Sequence, residues 1–180
     1  YGADGSIPLI PATNIGVKNA VRNLDPYLRV EAETKAFSHG LRMNYKDRNN
    51  IFVHGIDNGD YIKVRSVDFG EEGAFKFVAA VRCASGKGGN IEVHLDKKDG
   101  EKIASLSVEP TNNAWKELET EVMMVTGVHD IYFTFSGQNS EMFEFDYWYF
   151  VDQSHNMPQT PYNGEPAKKQ KKIQAEEYDL

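Results

Sequence analysis

The sequence predicts an all-β chain folded as a two-sheet, antiparallel, jelly-roll-like β-sandwich. Three observations carry this. Nine short runs rich in β-branched and aromatic residues crowd between Tyr27 and Val151. Gly- and Asn-rich breaks such as "NGD", "GEEG", "SGKGGN", "KKDG" and "PTNN" separate them. Several runs alternate with period two, and no stretch has the period of an amphipathic helix.

The runs, in order, are "LRVEAE", "IFVHGI", "DYIKVRSV", "FKFVAAVRC", "NIEVHLDK", "KIASLSVE", "KELETEVMM", "HDIYFTFS" and "FEFDYWYFV". In the third, Ile62 and Val64 face one way and Tyr61, Lys63 and Arg65 the other. Ile91, Val93 and Leu95 oppose Glu92, His94 and Asp96, and Ile131, Phe133 and Phe135 oppose Tyr132 and Thr134. Each pattern gives one core face and one wet face, as antiparallel sheets require. Cys83 shares the alternate face of Phe75, Phe77, Ala79 and Val81, which predicts a small core residue rather than a nucleophile. "GKGGN" leads from strand to strand, so it reads as a hairpin turn and not as a dinucleotide loop.

Composition narrows the function. Apolar residues make up 40% of the 180, enough for a packed core. A net charge of −7 argues against nucleic acid as partner, since phosphate binding needs a basic face. The basic run "KKQKK" at 168–172 lies in a segment with Pro and Gly and reads as solvated linker. No run of about 18 apolar residues is present to span a membrane. There is no nucleophile elbow, zinc signature or phosphate loop, so the residues argue against catalysis by this chain. No signal peptide is visible, though a processed chain would lack one.

Residues 1–26 are broken by Gly and Pro and read as a connecting segment. The domain is expected over 27–151 and a second linker over 152–172. The ending "KIQAEEYDL" echoes "RVEAET" at 29–34.

Taken in order, "YLRVEAET", "IDNGDYIKVRSVDFG", "GGNIEVHLDKKDGEKIASLSV", "WKELETEV", "GVHDIYFTFSG" and "FEFDYWYF" resemble the family 6 carbohydrate-binding modules across about residues 27–151. The preceding segment is similar to the connection from a family 43 glycoside hydrolase domain, and residues 173–180 resemble the first strand of a second module, with Gln174 and Glu176 repeating Glu31 and Glu33. The resemblance implies a non-catalytic module that targets an appended hydrolase to plant cell-wall polysaccharide, most often xylan or arabinoxylan. It also implies a secreted, extracellular or periplasmic setting.

"EAE" puts Glu31 and Glu33 on one face of a strand, where two close carboxylates repel unless a cation intervenes. Oxygen ligands without a His/Cys cluster suit a hard cation better than zinc. The resemblance implies a structural calcium held by Glu31, Glu33 and Asp146, with backbone carbonyls completing the shell.

It also implies two places for a sugar. In the loop cleft, Trp115 matches the family's Trp. The second aromatic is replaced by Gly55, so Phe52 or His54 would have to supply the opposing face. The usual Asn is Glu144, which can still accept hydroxyl hydrogen bonds, and Asn44 is a further polar candidate. The second place is the wet sheet face bearing Tyr61, Lys63, Arg65, Glu92, His94, Tyr132 and Thr134. The two departures, at Gly55 and Glu144, keep a different expectation open: a sandwich that binds no sugar and serves as a spacer packed against its catalytic partner.

Overall fold

The computed structural model describes residues 23–47, 50–138 and 140–152. The described residues contain no helix, and eleven strands form two antiparallel sheets. β1 (Val30–Glu31), β3 (Arg42–Asp47), β4 (Asn50–His54), β6 (Ala74–Arg82), β9 (Lys116–Glu121) and β11 (Glu144–Asp152) make the first sheet, ordered β3-β4-β11-β6-β9, with β1 also on β11. β2 (Phe37–His39), β5 (Tyr61–Asp68), β7 (Gly89–Leu95), β8 (Lys102–Val108) and β10 (Val128–Ser136) make the second, ordered β2-β5-β10-β7-β8.

Each of the nine expected runs contains a strand. β5, β7 and β10 alternate as the pattern requires: Ile62, Val64, Ile91, Val93, Ile131 and Phe133 are buried, and their neighbours are not. The sheets lock together through aromatic rings. Phe133 of the second sheet meets Phe77, Phe145 and Trp148 of the first, with ring centroids 5.6, 5.8 and 5.1 Å away. Such pairs add roughly 0.5–1.5 kcal/mol each beyond their buried area. Cys83 is fully buried at the end of this core, as its place in the alternation requires, and burial raises its thiol pKa.

Three expectations need correction. "GKGGN" is not a hairpin: both edges of β6 are taken by β11 and β9, so the chain crosses to the second sheet, where β7 pairs with β10 and β8. Glu31 and Glu33 do not share a strand face either. The Ala32 N–H donates to the Asp146 carbonyl at 2.8 Å, and the chain then turns, with Thr34 N–H donating to the Glu31 carbonyl at 2.9 Å. β1 therefore stops at Glu31, and Glu33 lies in the turn.

The sandwich also begins before Tyr27. Leu24 bridges to Val67 in parallel and packs against the core, and the Pro26 carbonyl accepts from Phe150 N–H. β11 runs on to Asp152. The remaining linker residues, the KKQKK run, and the second-module strand with Gln174 and Glu176 lie outside the described residues.

β3 and β4 form a hairpin, as do β7 and β8. Most other connections cross between the sheets. Those after β4, β6, β8 and β10 bring Gly55, Ala84, Asn113 and Glu141 to one end of the sandwich, around a single cleft.

Candidate functional site: a loop cleft and an aromatic sheet face

The cleft grows from one cross-strand row of the first sheet. Arg42 pairs with His54 across β3 and β4, and Glu144 pairs with Arg82 across β11 and β6. His54 lies one position past the Phe145–Val53 pair, and Trp115 one position past Lys116–Val81. Cross-strand neighbours share a face, so residues from sequence positions 42 to 144 meet in one line.

Arg82 is the hub of that line, and nothing in its sequence neighbourhood signals this. It forms an ion pair with the Glu144 carboxylate, a bond that raises the guanidinium pKa further. Its Cζ lies 5.1 Å from the Trp115 ring centroid and 5.4 Å from that of Phe52. Glu144 is thus matched by a counter-charge on the adjacent strand.

Trp115 is held by its loop. Asn112 and Asn113 adopt positive φ, Thr111 Oγ1 accepts from Cys83 N–H at 3.0 Å, and it donates to the Ala114 carbonyl at 2.6 Å. Phe52 packs edge-on beneath Trp115 at 5.3 Å and is only 3% exposed, so its ring supports the Trp rather than offering a face to a ligand. His54 lines the cleft with Gly55, Arg82 and Glu144. Asn44 is exposed on β3, opposite Phe52, and its Oδ1 accepts from Tyr45 N–H at 2.8 Å. Among the described residues, the buried Trp115 indole N–H has no acceptor.

The wet face of the second sheet carries its candidates in two rows. Phe37, Lys63, Tyr132 and His94 form one, and His39, Tyr61, Thr134 and Glu92 the other. Tyr61 stacks with His39 at 6.0 Å and lies 6.0 Å from Phe37 and 6.2 Å from Tyr132. Lys98 reaches over it at 4.6 Å. Lys63 pairs with Asp130 at 2.8 Å and Glu92 with Lys102 at 2.9 Å, while Arg65 borders the hollow between Phe37 and Tyr132.

The acidic candidates meet where β1 and β4 both adjoin β11. Among the described residues, Glu33 Oε2 and Asp146 Oδ1 are buried without hydrogen-bond partners. Burial, reinforced by the charges of Glu31 and Asp146, raises the Glu33 carboxyl pKa. Two orphaned carboxylate oxygens fit a hard cation. The fit is partial: no three acidic, His or Cys side chains are gathered around one point among the described residues. Glu31 is drawn aside by Arg29, whose Nε and Nη2 donate to it at 2.8 and 3.0 Å, and the Lys46 ammonium stands 3.6 Å from Asp146 Oδ2.

Aromatic rings set beside hydrogen-bonding side chains suit the apolar face and the hydroxyls of a sugar. The comparisons with known proteins make this specific. Residues 31–152 match the model of the carbohydrate binding module (family 6), and the chain belongs to that family. It is 44% identical over 162 residues to an arabinoxylan arabinofuranohydrolase of Bacillus subtilis (strain 168), covering 85% of this chain and 31% of that protein. The chain therefore spans only about a third of that relative's length. A crystal structure of a glycoside hydrolase family 43 arabinoxylan arabinofuranohydrolase from Bacillus subtilis, in complex with cellotetraose, superposes with a TM-score of 0.71 at 42% identity, covering 85% of this chain and 32% of that one. A family 6 module from Clostridium cellulolyticum in complex with xylose superposes with a TM-score of 0.68 at 32% identity, covering 72% of this chain and 100% of that one. Carbohydrate binding is the role this membership supports.

Proposed function

We propose that this chain is a non-catalytic module that directs a covalently linked family 43-type glycoside hydrolase to plant cell-wall polysaccharide, xylan or arabinoxylan, outside the cell, and that the loop cleft does the binding. One observation carries the choice of cleft: His54, Glu144 and Arg82 line it from three strands of one sheet, and Trp115, at the end of the loop before β9, continues their row with its ring 5.1 Å from the Arg82 guanidinium. A ring for the apolar face of a sugar then sits beside groups that satisfy its hydroxyls. The xylan assignment leans on the named relatives, an arabinoxylan arabinofuranohydrolase and a module bound to xylose.

Affinity electrophoresis through gels containing xylan, arabinoxylan or mixed-linkage β-glucan tests the reading. Retardation in the first two is expected, and no retardation in any gel would favour the spacer. Glu144→Asn should strengthen xylan binding by several-fold, on the order of 1 kcal/mol, because it replaces an ion-paired carboxylate with an amide that both donates and accepts. Its melting temperature should barely move, since a part-exposed ion pair contributes about 0–1 kcal/mol. Weaker binding would show that the carboxylate of Glu144 is the better partner for the sugar, and unchanged binding that position 144 does not touch it.

The cluster of Phe37, Tyr61 and Tyr132 favours a second reading, in which the sheet face takes the side of a polysaccharide chain. Calcium belongs to the main reading. Glu33 and Asp146 would hold it through their orphaned oxygens, and Glu31 would join by exchanging Arg29 for the ion. Bound there, the ion would tie the first strand to the last.

A further inference from the structure

We propose that Arg42 is the second wall of the loop cleft: its guanidinium fills the space beside Gly55, and it holds the hydroxyl edge of an uncharged sugar whose face rests on Trp115. This deepens the cleft reading above and rests on it.

Gly55 borders the cleft with φ +66°, a conformation that disfavours any side chain. A Cβ built there would lie 2.6 Å from Arg42 Nε, 2.7 Å from Nη2 and 3.0 Å from Cζ. The space next to position 55 is therefore taken by a planar, hydrogen-bonding group from the neighbouring strand. Arg42 arrives there because it pairs with His54 in the β3–β4 ladder.

The guanidinium is also aimed. Nη2 donates to Glu141 Oε1 at 2.5 Å, and Glu141 N–H donates to Asp57 Oδ1 at 2.7 Å, so the loop after β4 and the loop before β11 are bound together. Both side chains of the pair are more than half exposed, at 61% and 62%, so the contact does little for stability and its groups remain open to a ligand. Arginine has five N–H donors, most of them unused among the described residues, and every sugar hydroxyl oxygen can accept.

Charge narrows the ligand. Arg42 is balanced by Glu141 and Arg82 by Glu144, so these two arginines leave no unmatched positive charge to attract a uronate. A neutral pyranose unit fits. A clasp of two rings would grip both of its apolar faces. A ring and a guanidinium grip one face and one edge, which makes the hydroxyl arrangement the basis of selection.

Titration calorimetry with xylohexaose on the whole chain tests this. The wild type, Trp115→Ala, Arg42→Ala, Arg42→Lys and Glu141→Gln would be compared, with melting curves confirming equal folding. Arg42→Ala should weaken binding roughly five- to tenfold, the loss of a hydrogen-bonding partner. Arg42→Lys should fall between it and the wild type, because it keeps donors and loses the plane. Glu141→Gln should weaken binding by a smaller factor, through a looser Arg42. If Trp115→Ala loses binding while Arg42→Ala titrates like the wild type, Arg42 is not the wall and the cleft reading stands. If neither variant loses binding, or the wild type takes up no xylohexaose, both the cleft reading and this one are overturned.

Discussion

Chelation is expected to lower the melting temperature of this module by roughly 10 °C, and Asp146→Ala to reproduce that loss with no further response to chelator. The side chains proposed as ligands come from β1, the turn after it, and β11, which lie 115 residues apart when counted from Glu31 to Asp146 and meet only in the native state. A ligand that binds the folded chain alone stabilises it by about 3–4 kcal/mol at a hundred to a thousand times its dissociation constant. For a domain of this size each kcal/mol moves the midpoint by a few degrees, about 3 °C. The orphaned oxygens of Glu33 and Asp146 set the sign: without an ion, each carboxylate keeps one buried oxygen with no partner, and the charge of Asp146 raises the Glu33 pKa. Lys46 is the competing account, since its ammonium stands 3.6 Å from Asp146 Oδ2. Differential scanning calorimetry of the wild type and Asp146→Ala, each with calcium and with chelator, separates the two. If the wild type ignores chelator and Asp146→Ala is nonetheless destabilised, the calcium site is wrong and the Lys46 contact is what stabilises this corner.

The sandwich was legible wherever one strand face is buried. β5, β7 and β10 announce themselves by alternation, because water lies on one side of them and the core on the other. β3 announces nothing. All six of its residues are exposed, Tyr45 at 73%, and an edge strand wet on both faces has no reason to alternate. β2, three residues long, is too short for a period to show.

The site divides the same way. Trp115 and Glu144 become candidates because they sit in words that resemble a family. Arg82, Arg42 and Glu141 do not, because their contacts form only between segments distant in sequence. Arg82 meets Glu144 through the β6–β11 register, and Arg42 reaches Gly55 through the β3–β4 register. A register of this kind is fixed by the whole sheet, and no local spacing encodes it. The "EAE" pattern misled because the turn closed by Thr34 N–H on the Glu31 carbonyl takes Glu33 out of the strand.

Trp115→Ala should erase binding to xylan-type chains, a loss of about 1–3 kcal/mol or more, which spans roughly five- to more than a hundredfold in affinity. The ring is the large apolar surface at the cleft whose position is fixed by bracing: Phe52 beneath it, the Arg82 and Lys46 cations 5.1 Å from its centroid, and the Thr111 hydroxyl fastening its loop to Cys83. A ring already immobilised loses little entropy when a sugar lies on it, which is why its removal should cost so much. The fold should survive, because Thr111 and the Lys116–Val81 pairing hold the loop without the indole, though uncovering Phe52 should lower stability by about 1 kcal/mol. Tyr61→Ala supplies the counterpart on the other sheet, where the ring stacks with His39 and neighbours Phe37 and Tyr132. Affinity electrophoresis of the two variants on arabinoxylan decides between the surfaces. Loss with Trp115→Ala and retention with Tyr61→Ala places the sugar in the loop cleft. The reverse pattern moves the site to the sheet face, where the same aromatic chemistry would act on the side of the chain, and partial loss in both would mean that one polysaccharide engages both surfaces.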